Sequence, residues 1–500
     1  MSRPAVRTLH EPSVPPTADT ILDSAALVLY FPAPNTVTGE EVLELHVHGG
    51  SATIKAVLAA IPRCTTSATG RIHYAEPGEF TRRAFFHNRL DVTQIEALGD
   101  SLAAETEQQR RLSVRGTSGA LARQYEAWRH QLLQARGELE ALIDFSEDQH
   151  FDETPTSLTS SVAMQVQALA AQIETFRANA MRGELRRNGL SISLLGAPNV
   201  GKSSLLNRIV GREAAIVSTE AGTTRDVIEI GVDIDGWYCR LADMAGIRRT
   251  LAKDRIEELA GSREIAPVGL VEHEGIQRAK ERAAESDVVI LMCSVEPDLD
   301  GQAFHLRVDA DVLEAAAKIN RRTGNVVAVV NKLDRVDDAS TRMSKEWAPA
   351  LMASVAHLSR KSIFGVSCKA NVGPSEARAD ARGIQTLLAG LVEKFQEMTD
   401  PLLPTASGDQ AVVPTDRSMW EASLGATERQ RLLLDECLAH LQTFSTITRA
   451  SSDQLGHSND DLDVVVAAES LRAAASSLGK ITGKGEAGDV EAVLGVVFEK

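Results

Sequence analysis

Gly196-Ala197-Pro198-Asn199-Val200-Gly201-Lys202-Ser203 decides how this chain folds. It follows the apolar run Ile192 to Leu195 and precedes Leu205-Leu206-Asn207-Arg208-Ile209, which has helix-like spacing. A strand, a glycine loop and a helix in that order let backbone N–H groups wrap a nucleotide's phosphates. In such a P-loop Lys202 reaches the β- and γ-phosphates, the Ser203 hydroxyl ligates Mg²⁺, and Gly201 and Ser204 complete the nucleotide-binding run. The stretch predicts an α/β domain that binds a nucleoside triphosphate.

The base is legible further along. The apolar run Val326 to Val330 delivers Asn331-Lys332-Leu333-Asp334, where an aspartate can accept hydrogen bonds from the N1–H and 2-amino group of guanine. Adenine offers neither donor in that place. A second apolar run ends in Ser367-Cys368-Lys369, positioned to support the base through backbone N–H. Leu241-Ala242-Asp243-Met244-Ala245-Gly246 offers a carboxylate for Mg²⁺ and a glycine N–H for the γ-phosphate. Gly222-Thr223-Thr224-Arg225-Asp226 adds Thr224 as the second Mg²⁺ contact. Each piece alone reads equally well as a turn or a strand end. Their order and spacing together point to GTP.

Composition bounds the rest. Five hundred residues suffice for two to four domains, the 43% apolar fraction allows real cores, and 4% aromatic residues suits helix-rich packing. No apolar run approaches membrane-spanning length, so no membrane insertion is expected. Cys64, Cys239, Cys293, Cys368 and Cys437 form no CxxC pair and no metal spacing, which fits a reducing compartment. The net charge of −16 argues against broad grip on nucleic-acid phosphates, so a partner or a local patch must supply much of any RNA contact. Met1 to Arg7 shows neither a transit peptide nor a signal h-region.

Residues 20 to about 90 read as a mixed α/β region, with strands at Ala26 to Phe31 and Val42 to Val47 and turns at Pro32 to Asn35 and His48-Gly49-Gly50. His46 and His48 invite an HxH metal reading, but no third ligand cluster accompanies them, and a strand end before a turn is the better account. From Thr93 the pattern is helical. Leu121, Tyr125, Trp128, Leu132, Ala135, Leu139 and Leu142 recur at four- and three-residue steps, with Gly116 and Gly119 marking a break between helices. A further helix, Val162 to Met181, leads to a strand at Ser191. Asp400 to Pro414 reads as a linker, and helical spacing returns at Leu434, Leu438 and Leu441 and at Leu471, Ala474, Leu478 and Ile481. The expected organisation is a small α+β domain (1–92) and a helical domain in two parts (93–187 and 399–500), interrupted by an inserted GTPase domain (188–398). Charge-rich Arg248 to Val271 is expected to form an extended mobile loop.

Together these residues resemble the MnmE/TrmE family of tRNA-modification GTPases, including its mitochondrial members, over nearly the whole chain. The specific pieces are Phe31-Pro-Ala-Pro-Asn-Thr-Val-Thr-Gly-Glu-Glu-Val-Leu-Glu44, His46-Val-His-Gly-Gly50, Pro77-Gly-Glu-Phe-Thr-Arg-Arg-Ala-Phe85, Asn88-Arg-Leu-Asp91 and Ile143-Asp-Phe145. The resemblance implies that residues 1–92 bind a tetrahydrofolate derivative, with Glu44 and Arg89 where folate contacts fall. A carboxylate suits pterin N–H donors and an arginine suits a glutamyl or formyl oxygen.

It also implies a hydrolysis mechanism. Ile247 stands where a water-orienting glutamine is found in Ras-like proteins, and in the family that task falls to a glutamate before a helix start. The match is Glu272, with Glu274 two residues on as a competitor. Charge stabilisation is expected from K⁺, held by Asn199 and by Ser218, Glu220 and Thr223 of the loop before and around Gly222. Lys202 and Glu272 are thus the catalytic candidates. The family further implies a homodimer, an FAD-dependent MnmG/GidA-like partner, and modification of C5 of the wobble uridine of tRNA with glycine or taurine as the amine.

Three departures accompany the likeness. No glycine-rich opening segment precedes Val28, so an N-terminal strand and a folate-contacting arginine are expected to be missing. The chain stops at Val497-Phe498-Glu499-Lys500, without the family's Cys-x-Gly-Lys, and Met244 stands where threonine is usual. These ends lead to the expectation of a longer natural protein, incomplete here on both sides, and with the charge-rich loop Arg248 to Val271, read as an insertion in the switch region, they favour a eukaryotic, mitochondrial-matrix member over a cytoplasmic bacterial one. A ribosome-assembly or RNA-binding GTPase, or a scaffold retaining only GTP binding, are the competing readings.

Overall fold

The structure, a computed structural model, describes residues 4–66, 70–145, 155–210, 214–221, 228–242, 277, 280–298, 303–369, 383–403, 417–453 and 464–483. Strands β1 (Ala5–His10), β2 (Ile21–Phe31) and β3 (Val42–His46) come first. Helices α1 (Ser51–Ala60), α2 (Glu79–Phe86), α3 (Val92–Ala103), α4 (Glu107–Gly116), α5 (Ala120–Phe145) and α6 (Pro155–Asn188) follow. Next are β4 (Leu190–Gly196), α7 (Lys202–Arg208), β5 (Ala215–Ala221), β6 (Ile228–Ile234), β7 (Trp237–Ala242), β8 (Val288–Pro297) and β9 (Phe304–Arg307). The chain continues with α8 (Ala310–Thr323), β10 (Val326–Asn331), β11 (Ile363–Gly365), α9 (Ile384–Thr399), α10 (Arg417–Ser423), α11 (Glu428–Asp453) and α12 (Val464–Thr482).

These elements form two compact units, one of residues 1–99, 116–174 and 429–500, the other of residues 100–115 and 175–428. The second holds the larger sheet, in the order β11-β10-β8-β4-β7-β6-β5, with β9 paired to β8. Strands β11, β10, β8, β4 and β7 run parallel, while β6 and β5 extend the sheet antiparallel. Alternation along the central strands explains the layering. Val288, Ile290 and Met292 of β8 join Val327 and Val329 of β10 in one core with Leu205, Leu387 and Phe395. Val289, Leu291, Cys293 and Val295 join Val326, Ala328 and Val330 in the other, with Val312, Ala316 and Trp347. A strand buried on both faces reads as a continuous apolar run, as the sequence of β8 and β10 does. Such sheets bind ligands beyond the carboxyl ends of their parallel strands.

In the first unit β1, β2 and β3 form an antiparallel sheet, with Ala5 opposite Val28 and Leu29 opposite Glu44. Strand β1 thus precedes the two strands that the sequence predicts. It escapes sequence reading because Ala5-Val6-Arg7-Thr8-Leu9-His10 alternates neither in polarity nor in burial. Strand β2 also begins at Ile21, five residues ahead of the expected Ala26, through the polar Asp23-Ser24.

The helical seam is as expected: Leu121, Tyr125, Trp128, Leu132, Ala135 and Leu139 of α5 are all buried, whereas the side chain of Leu142 lies outside the described residues. Leu434, Leu438 and Leu441 of α11 and Leu471, Ala474, Leu478 and Ile481 of α12 are buried too, and α12 packs along α5. A polar knot locks the helix ends. Arg429 donates to both oxygens of Glu96 at 2.6 and 3.2 Å and to the carbonyls of Lys480 and Ile481 at 3.3 and 3.0 Å. Gln430 donates to Glu96 at 2.6 Å and accepts from the Tyr125 hydroxyl at 2.9 Å. The Glu96 side chain is only 9% exposed, so Arg429→Met leaves a carboxylate with little water to replace its partner. That substitution is expected to cost about 3 kcal/mol, read as a lowered midpoint in thermal or urea unfolding.

Candidate nucleotide site

The glycine loop leaves the carboxyl end of β4 and runs into α7, in the strand–loop–helix order its sequence predicts. Gly196 has Met292 carbonyl oxygen 2.6 Å from where a Cβ would stand, so only glycine lets β4 lie this close to β8. Asn199 and Gly201 are both left-handed, at φ +63° and +102°. These turns aim the loop back over the strand end, and Lys202 Nζ donates to the carbonyls of Gly196 and Ala197 at 2.6 and 3.0 Å.

Asn331, the last residue of β10, ties this loop to the rest of the site. Its Nδ2 donates to Val200 carbonyl at 2.9 Å, while its Oδ1 accepts from Lys332 N at 2.8 Å and Cys368 N at 3.3 Å. One buried carboxamide thus joins three segments. Ser367 hydroxyl accepts from Asp334 N at 3.0 Å, which sets the aspartate's backbone. The Asp334 carboxylate itself accepts no hydrogen bond among the described residues.

These segments surround one cavity of about 490 Å³. Asn199, Gly201, Lys202, Ser203 and Ser204 line one end, and Asn331, Lys332, Asp334, Arg335, Cys368 and Lys369 the other. A volume of this size accepts a nucleotide. The Asn199 carboxamide and Ser203 hydroxyl supply oxygen donors, the type that hard cations such as Mg²⁺ and K⁺ prefer. Burial, with the charge of Asp334, pushes the Cys368 thiol up to about 11, so at neutral pH it is an inert wall rather than a nucleophile.

Not every expected site residue can be placed. Gly222, Thr223, Thr224, Asp243, Gly246, Glu272 and Glu274 lie outside the described residues, as does the expected loop Arg248 to Val271. Ser218 and Glu220 fall on β5, opposite Gly231 and Glu229 of β6, and their side chains lie outside the description.

Glu296 is a site residue that sequence reading missed. Lys332 Nζ donates to its Oε1, Ser294 hydroxyl to the same oxygen at 3.0 Å, and Arg335 Nη1 to its Oε2 at 3.0 Å. Burial opposes its charge, but the hydrogen bonds from Lys332 and Ser294 outweigh that and hold the carboxyl below its ordinary range. A glutamate at the end of an apolar strand carries no motif signal; only the pairing of β8 with β10 brings it to the base loop.

In the N-terminal sheet Glu44 is exposed on β3 and pairs with His46 at 3.2 Å, and Arg89 is exposed just after α2. No hydrogen bond or ion pair joins Glu44 to Arg89 among the described residues. His46 ends β3, as expected of a strand end, and no group of potential metal ligands occurs among the described residues. His48 is held by a buried carboxylate: Asp23 accepts from His48 N at 2.8 Å, from Ala25 N at 2.9 Å and from His48 Nδ1 at 2.9 Å. The backbone N–H of His48, then that of Ala25, holds the Asp23 carboxyl below its ordinary 3.8. A depressed folded-state pKa contributes stability that is present above the unfolded value and lost as pH falls through the folded one. In melting curves, the advantage of the natural chain over Asp23→Asn should be full at neutral pH and shrink as pH drops below 3.8.

Comparison with known proteins agrees over the full length. Residues 92–500 match the profile of the MnmE helical domain, and residues 2–89 that of the GTP-binding protein TrmE N-terminus. The tRNA modification GTPase MnmE of Paramagnetospirillum magneticum is 34% identical over 487 residues, covering 97% of this chain and 87% of its own length. The mitochondrial tRNA modification GTPase mss1 of Schizosaccharomyces pombe is 33% identical over 486 residues, covering 97% and 84%. Its counterpart MSS1 in Saccharomyces cerevisiae is 32% identical over 483 residues, covering 96% and 80%.

Proposed function

The chain belongs to the MnmE/TrmE family of tRNA-modification GTPases, and from that premise we propose a K⁺-stimulated GTP hydrolase that acts on the wobble uridine of tRNA. It is a GTPase. The finer reading is that it works as a homodimer with an FAD-dependent MnmG/GidA-like partner. Together they modify C5 of that uridine with a one-carbon unit from tetrahydrofolate. The observation that carries the nucleotide part is the cavity in which Asn331 joins the glycine loop to the base loops.

In this reading the Asp334 carboxylate accepts the N–H donors of guanine, and the backbone around Ser367, Cys368 and Lys369 supports the ring. Lys202 exchanges the carbonyls of Gly196 and Ala197 for phosphate oxygens and neutralises charge that grows on the γ-phosphate during hydrolysis. Gly222 and Gly246 contribute backbone N–H. Ser203, Thr224 and Asp243 would hold Mg²⁺, which supplies charge neutralisation at the β- and γ-oxygens when bound. Asn199, with Ser218, Glu220 and Thr223, would hold K⁺ in the place an arginine finger takes elsewhere. Glu272 orients the attacking water, with Glu274 as the competitor, and Glu44 and Arg89 would contact folate.

We assign residues 1–92 to the folate-binding domain and 188–398 to a GTPase domain inserted between helical parts 93–187 and 399–500. The kinship with mitochondrial relatives makes the mitochondrial matrix the proposed location if the source is eukaryotic. Mass spectrometry of tRNA nucleosides from a strain lacking the protein tests the substrate: wobble-uridine modification should be lost, and unchanged modification would refute the reading. Equal GTP turnover in Na⁺ and K⁺ would remove the potassium from it.

A further inference from the structure

Strand β8 outlasts its neighbour. Asn331, where β10 ends, is opposite Ser294, and β8 continues to Pro297, so Glu296 stands beside the base loop after β10 has turned away. The loop carries two cations close to Asp334 in sequence, Lys332 before it and Arg335 after it, and both line the cavity. Either could pair with the Asp334 carboxylate, which an incoming guanine must find available. In the structure neither does; both are bonded to Glu296. Glu296 and Lys332 are largely buried, with 19% and 20% of their side chains exposed, so this pairing is shielded from bulk water and salt.

We propose that Glu296 is a specificity-determining positioning residue: by holding Lys332 and Arg335 it keeps the Asp334 carboxylate open for the N–H donors of guanine. Asn331 and Ser367 fix the backbone of the loop, and Glu296 fixes its charged side chains. Without it a released cation occupies the carboxylate oxygen of Asp334 that the 2-amino group needs and leaves the other for N1–H, and the lysine stem loses its fixed place in the cavity wall. The proposal rests on the guanine-nucleotide reading of this cavity, and its test separates the two.

The test is titration of the full chain with fluorescent GDP, with competition by unlabelled GDP and by inosine diphosphate, which lacks the 2-amino group. The natural chain should bind GDP and prefer it to inosine diphosphate; failure of the natural chain to bind GDP would refute the guanine reading itself. Glu296→Gln should weaken GDP binding about tenfold, as expected for losing a charged hydrogen-bond partner. It should also narrow the preference for GDP over inosine diphosphate by a similar factor. A merely structural role would weaken both ligands equally and leave that ratio unchanged. E296Q with an unaltered ratio therefore overturns the proposal. Adding Arg335→Gln to E296Q removes one released cation and should recover part of the preference; no recovery counts against it. If E296Q does not fold, Glu296→Asp serves, since it keeps the charge but shortens the reach. An intermediate ratio supports the assignment, and an E296D chain identical to the natural one overturns it.

Discussion

Gly201→Ala is expected to reduce GTP turnover by a factor on the order of 10³ or more, close to the background of a phosphate-release assay. Two physical effects act together. At φ +102° the backbone is in a region that alanine adopts only under strain. The added Cβ would also collide with Asn331 Nδ2, the atom that holds Val200 carbonyl. Asn331 cannot swing aside without releasing Lys332 N and Cys368 N from its other end. Damage at one glycine thus reaches both the phosphate loop and the base loop, and binding of fluorescent GDP should fall along with turnover. The strain and the displaced buried carboxamide should also lower the melting temperature by a few degrees, while the hydrophobic cores on either side of the sheet stay intact and keep the variant folded. A variant with natural turnover would remove this loop from the active site.

Asp334→Asn should exchange the preferred base. In the proposed site the carboxylate accepts from the N1–H and 2-amino group of guanine, whereas a carboxamide presents an NH₂ where the second acceptor was. Guanine then meets donor against donor, and a site that depends on such bonds discriminates by a factor on the order of 10⁴ when they are lost. Xanthine carries a carbonyl in place of the 2-amino group, which the asparagine NH₂ can satisfy. Turnover of GTP should collapse and that of xanthosine triphosphate should appear. The backbone bond from residue 334 N to the Ser367 hydroxyl is independent of the side chain, so the loop should keep its shape. A variant that hydrolyses GTP as before and ignores xanthosine triphosphate would show that Asp334 does not read the base.

The parts of this molecule legible in sequence are those where local chemistry and pattern agree. The run Ile192 to Leu195, followed by Gly196 to Ser203, announced β4, its loop and α7 because left-handed turns beside a buried strand require that composition. The seam from Leu121 to Leu139 was legible because a single stripe of α5 is buried along its length. Strand β1 was not, since it lies at a sheet edge with half of its side chains exposed and none buried, and only pairing with β2 makes it a strand. At the site the motif residues Lys202, Asn331 and Asp334 came from spacing alone. What joins them did not: the bond from Asn331 to Val200 spans 131 positions, and Glu296 reaches Lys332 across 36. Such partners are fixed by strand order, which a list of motifs does not contain.

The carboxamide of Asn331 also has a thermodynamic meaning. Because one side chain anchors the loop for the phosphates and the loops for the base, ordering either end removes freedom from the other. The two halves of a nucleotide are then linked ligands, each raising the affinity of the other by the same factor. In the proposed site, affinity for the intact nucleotide should exceed what its base and its phosphates would achieve as separate molecules, and loss of the γ-phosphate should be felt at the guanine. Under the proposed function, chemistry at one end of the cavity then becomes a change of grip at the other.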